Sequence, residues 1–180
     1  MALRMPRRVF CWVLFFPVTL LMFHIDTQAA DLPDVQAENL LRVGRTLVEK
    51  RHYLEALDLF EEARDFLEST GIKNTGLYPD ILFELAQTKI RGRLHQNFPA
   101  NYVKSALEDI QSANRSRERL ADVLPQKLAE GYYLEGFIQK KFFMRNDIAT
   151  SCFVKAVKID PGFIAAKREL SELVADEKPK

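Results

Sequence analysis

Cysteine is almost missing from this chain of 180 residues: it has Cys11 and Cys152 and no others, so no Cys-x-x-Cys metal or redox site can be built. Histidine is nearly as scarce. None of the three forms a His-Glu-x-x-His pair, and the two beyond the N-terminal segment, His52 and His95, are far apart in sequence and read as solvated surface residues. Seven glycines never gather into a phosphate loop ending in Lys-Ser or Lys-Thr, and no Gly-x-Ser-x-Gly elbow occurs. Charge of one sign is lacking too, since 26 basic residues meet 25 acidic ones. These absences point away from an enzyme, a metal protein, a cofactor protein and a nucleic-acid binder.

What is present begins with an uneven distribution of apolar residues, which make up 47% of the chain. Arg4, Arg7 and Arg8 precede an apolar stretch from Val9 to Ile25, broken only by Pro17, Thr19 and His24, and Thr27-Gln28-Ala29 follows. Positive, apolar, small is the order of a secretory signal, with cleavage expected after Ala29. The alternative is an uncleaved anchor, because seventeen residues reach the short edge of what spans a bilayer of about 30 Å. Either way the basic residues stay inside and the remainder is exported. Losing residues 1–29 removes three basic residues and one acidic residue (Asp26), which takes the formal charge from +1 to −1. Near neutrality argues against an anionic membrane surface or nucleic acid as the main partner, leaving the N-terminal segment as the membrane contact if it is uncleaved. Cys152 is then alone, so no internal disulfide forms, and it reads as a half-buried inert thiol.

Beyond the leader, one pattern recurs three times: Ala56, Phe60 and Ala63; Ala106, Ile110 and Ala113; Ala149, Phe153 and Ala156. Offsets of four and three place each set on one helical face, and alanine lets a second helix approach while the large residue fills the gap. A first helix is expected over 37–50, with Gly44 where another helix crosses, and its partner over 53–68 with Gly71 as its stop. Leu40, Val43, Gly44, Leu47, Tyr53, Ala56, Phe60 and Ala63 match the spacing of the tetratricopeptide repeat without a gap. The chain resembles that family over about residues 37–175, with Leu40 in place of the usual tryptophan and Glu68 where proline often closes the unit. Units are expected at about 37–70, 78–120 and 126–161, after a linker at 30–36, with a capping helix at 162–175 and a tail at 177–180. Between Ala86 and Ala106 lie eight more residues than between Gly44 and Ala56, and they read as a long loop around Gly92 to Asn101, followed by a helix from Tyr102 to about Val123. In the third unit the register is open by one residue.

The resemblance implies an all-α, right-handed α-solenoid of three helix pairs plus a C-terminal capping helix, whose first helices line a concave groove. The groove stripe then holds Leu41, Arg45 and Val48; Phe83, Gln87 and either Ile90 or Arg91; and Tyr133 or Leu134, Phe137 or Ile138, and Lys141. Leu41 and Phe83 read equally well as core. An apolar, aromatic groove with a few arginines suits an extended or helical peptide, and it lacks the lysine and asparagine pattern with which some relatives hold a C-terminal carboxylate. The expected function is a protein-interaction module in the bacterial envelope, non-catalytic and without cofactor or metal, with a protein or peptide partner; the alternative is a self-associating structural subunit. Glu61 and Glu62 read as outer-face residues, and Arg91, Arg93, Arg115, Arg117 and Arg119, interleaved with acids, read as solvated helix. Mass spectrometry of the protein from an envelope fraction should find an N-terminus at Ala30 or Asp31; an intact Met1 in membranes supports the anchor, and a cytosolic protein ends the export reading.

Overall fold

The computed structural model describes residues 33–73 and 75–176; the leader, the anchor alternative and the 177–180 tail lie outside them. The described residues form a compact unit whose core comes from its own helices. Among the described residues the chain is all-helical: α1 Pro33–Glu49, α2 Tyr53–Ser69, α3 Leu77–His95, α4 Asn101–Arg119, α5 Pro125–Phe143, α6 Asn146–Ile159 and α7 Ile164–Asp176. None of these helices is long and apolar enough to cross a membrane. Prolines open α1 and α5, where the missing N–H has no intrahelical partner to lose. Left-handed residues close several of them: Arg51 after α1, Gly71 after α2, Asn97 after α3 and Met144 after α5.

Each helix packs on the next, and in addition α1 touches α3 and α3 touches α5. All nine residues of the recurring pattern are fully buried, so the face they define is the one that packs. The glycines explain how closely. A Cβ on Gly44 would overlap the Phe60 ring, and one on Gly136 would come within 2.7 Å of Phe153 Cε1 and 3.1 Å of Cys152 Cβ. The first and third pairs therefore use one device, an aromatic ring from the second helix lying on a bare stretch of the first.

Three expectations need correction. The helix α1 begins at Pro33 and absorbs most of the expected linker, and Ala37 is already fully buried. The supposed long loop is short: α3 runs to His95, through Gly92, because Phe98 folds back over that glycine and its N–H bonds the Gly92 carbonyl at 3.3 Å. Finally, α4 stops at Arg119, four residues before Val123, where Leu120 turns to extended backbone.

Replacing Gly44 with alanine tests the close approach, because two effects oppose. Helix propensity favours alanine by about 1 kcal/mol, whereas overpacking costs roughly 1–3 kcal/mol. Phe60 is wholly enclosed and cannot swing away, so Gly44→Ala should lower stability in urea unfolding; in a Phe60→Leu background the same change should be neutral or stabilising.

Candidate functional site

The side-by-side contacts of α1, α3 and α5 create the face on which a groove was expected. An ion pair crosses it: Arg45 Nε donates to Glu84 Oε1 at 2.7 Å, with the arginine half exposed and the carboxylate largely covered. Gln87 and Arg91 follow on α3, both half-buried, and Lys141 on α5 is exposed. Between the alternatives left by the sequence, Ile90, Leu134 and Ile138 are core, so Arg91, Tyr133 and Phe137 are the outward members of each pair.

The apolar lining does not survive. Leu41, only 3% exposed, and Val48 belong to the core, because residues 37, 41, 44 and 48 form one stripe that faces α2 and α3. Phe83 is half-buried, and the Arg117 guanidinium lies over its ring, 4.9 Å from the centroid. Tyr133 is wedged between Phe153 and Phe163, with centroids 5.8 and 5.2 Å away, and burial raises its pKa. Phe137 meets Phe142 edge-on at 6.4 Å and packs against the core. Phe83 and Tyr133 join helices to each other, Phe137 packs against the core, and the outward residues Arg45, Glu84, Gln87, Arg91 and Lys141 are polar.

Arg117 is the largest departure from the sequence reading. It is 3% exposed, donates to the Lys127 carbonyl at 2.6 Å and to Asp80 Oδ1 at 2.9 Å, and its Nε has no partner. Asp80 also holds the Lys127 ammonium, so one carboxylate ties α3, α4 and α5 together. A cleft of about 220 Å³ opens beside this cluster between Pro79, Asp122, Val123 and Leu124. Further links repeat the theme. Lys89, buried on α3, donates to Ser105 at 2.9 Å and Asp109 at 2.7 Å on α4, and burial outweighs Lys89 in raising the Asp109 pKa. Asn114 Nδ2 donates to Glu135 Oε2 at 2.9 Å, while its Oδ1 lies where a Gly131 Cβ would be. On α5, Lys140 reaches Glu169 and Glu172 of α7 at 2.8 and 3.0 Å, and the bond to Glu169 is the main reason its pKa rises.

A signal for Arg117 existed: residues 106, 110, 113 and 117 continue the four-three-four stripe, so it falls on the buried face. Its acidic neighbours hid it. Both histidines have assigned neighbours: His52 Nδ1 lies 3.1 Å from Glu55 in the first turn, and His95 ends α3, stacked on Tyr53. Among the described residues no group of three or more His, Cys, Asp or Glu is placed to hold a metal ion. Cys152 is buried, and desolvation pushes its thiol up to about 12.

Two arginines that look alike in the sequence should therefore differ sharply. Arg117→Ala leaves largely buried Asp80 with Lys127 as its one remaining cation and removes the donor to the Lys127 carbonyl, and should cost roughly 3 kcal/mol in chemical denaturation, whereas exposed Arg115→Ala should stay within about 0.5 kcal/mol. Equal costs would remove Arg117 from the structural core. The sequence matches no known protein family, and no curated protein is significantly similar to it, so the tetratricopeptide resemblance stands on its residues alone.

Proposed function

We propose that this chain is an exported interaction module, a right-handed α-solenoid of three tetratricopeptide-like helix pairs capped by α7, that binds a protein or peptide on the face of α1, α3 and α5 and catalyses nothing. The observation that carries the reading is the alternating contact pattern, in which first helices touch each other as well as their own partners. Such an arrangement exposes one continuous side of three parallel helices, the side that helical-repeat proteins use for recognition. The recurring small-large-small triplets support the unit boundaries, and Ala166 and Leu173 of α7, buried against the third pair, support the cap. The basic-apolar-small order of the leader supports an envelope location.

The chemistry of the face narrows the partner. Arg45, Gln87, Arg91 and Lys141 are long polar side chains, and Glu84 pairs with Arg45 between α1 and α3. A peptide with carboxylates fits better than an apolar helix, since carboxylates can bond arginines in pairs and leave no greasy surface unmatched. A second reading, self-association through α7, rests on Ile164, 80% exposed, and Val174, also exposed, which no part of the described chain covers.

Affinity capture from an envelope extract, paired with light scattering of the purified protein, separates the two. Arg45→Ala with Arg91→Ala and Lys141→Ala should cut capture by about tenfold or more while leaving melting and molar mass unchanged. Ile164→Ser with Val174→Ser should leave capture intact. A concentration-dependent dimer that the second pair abolishes, with no capture sensitive to the first set, establishes self-association and overturns the groove.

A further inference from the structure

The turns inside the three helix pairs meet at one end of the molecule. Each short connection reverses the chain, so α1, α3 and α5 run one way and α2, α4 and α6 the other. The first two turns touch directly: Gln96 Nε2 donates to the Arg51 carbonyl at 2.8 Å, and the His95 and Tyr53 rings stack 6.2 Å apart. Because α5 lies beside α3, residues 144–145 arrive at the same end.

Three features of this end coincide. Each turn holds a non-glycine residue in the left-handed region, Arg51 at φ 63°, Asn97 at φ 54° and Met144 at φ 56°. Glycine takes that conformation at less cost, so a large exposed side chain there is kept against the local preference. Each turn also projects an aliphatic tip into solvent: Leu54, Leu94, and Met144, which is 78% exposed. Cations surround the tips, with Lys50, Arg51, Lys104 and Arg145 all exposed. The acids nearby are Glu49, Glu55 and Asp147, and Glu55 is engaged by His52. At the opposite end the exposed aliphatics Val35, Leu124 and Ile164 have neighbours of both signs, Asp34 and Asp122 but also Arg119, Lys167 and Arg168.

We propose that the turn end is a peripheral docking surface for an anionic phospholipid bilayer, with Leu54, Leu94 and Met144 entering the headgroup layer and Arg51 and Arg145 meeting lipid phosphates. Separate protruding tips ringed by cations suit a fluid interface, which accommodates each apolar tip while its phosphates neutralise the charge. An acidic protein would need pockets for its anchors, and the concavity here, between Lys50, Tyr53 and Gln96, is wide open. The near-neutral overall charge argued against such a surface, but a bilayer would meet this end alone, where the exposed cations Lys50, Arg51, Lys104 and Arg145 outnumber Glu49 and Asp147, the nearby acids that His52 does not engage. The surface shares no residue with the proposed groove, so either can fail alone.

Residues 33–180, which carry a complete core, can be tested without the apolar leader by cosedimentation with vesicles. They should bind vesicles of about one-third phosphatidylglycerol in phosphatidylcholine, not pure phosphatidylcholine, and should be released by about 0.5 M salt. Leu94→Ser with Met144→Ser, or Arg51→Glu with Arg145→Glu, should each weaken binding by about tenfold or more, whereas Val35→Ser with Leu124→Ser at the other end should not. Met144→Gly should raise the melting temperature while lowering vesicle binding, which a purely structural role would not do. Absence of cosedimentation, equal binding to neutral vesicles, or equal sensitivity at both ends overturns the proposal; retention on immobilised polyglutamate without vesicle binding reassigns the surface to an acidic protein.

Discussion

Everything in this structure depends on rings resting where a side chain is missing. Phe60 on Gly44 and Phe153 on Gly136 bring the two helices of a pair within a distance that any Cβ would forbid. Dispersion falls steeply with separation, so this approach lets the flanking alanines contribute contacts that larger residues could not make at longer range. The cost is a glycine in mid-helix, about 1 kcal/mol against alanine, offset by burial of an entire phenyl ring, which is worth roughly 1.5–3 kcal/mol. The middle pair applies the same device at its turn, where Phe98 covers Gly92 and lets α3 run on to His95.

Between pairs the apolar core continues, and polar links are added to it. The boundary from α3 and α4 to α5 is crossed by Asp80, Arg117 and Lys127 and by Asn114 with Glu135. Buried ion pairs add little net free energy, because desolvation consumes most of the attraction, yet breaking one is expensive. They discriminate against slipped packings more than they stabilise the correct one. An apolar stripe can slide by a turn at modest loss; a carboxylate shared by a guanidinium and an ammonium cannot.

That division of labour shapes the surfaces left over. With the aromatics Phe83, Tyr133 and Phe137 packed against neighbouring side chains, the face of α1, α3 and α5 retains long polar side chains, so the proposed recognition there would rest on charge and hydrogen bonding. Aliphatic tips survive mainly at helix ends, where the chain reverses and nothing packs outside it.

Periodicity made the helices, the nine-residue packing code and Gly71 as a stop legible, because four-three spacing and left-handed glycine act within a few residues of each other. It also placed Arg45, Gln87, Arg91 and Lys141 on the outward side of their helices, since what is not stripe is surface. Leu41 was misplaced as lining because a stripe's edge cannot be told from its centre until the neighbouring helix is set. Arg117 was misread as solvated because its partners, Asp80 and the Lys127 carbonyl, lie thirty-seven and ten residues away. A sequence therefore determines which residues can share a face, whereas only the tertiary structure decides which face is buried and by whom, because burial depends on contacts between chain segments whose separation along the chain carries no information about their distance in space.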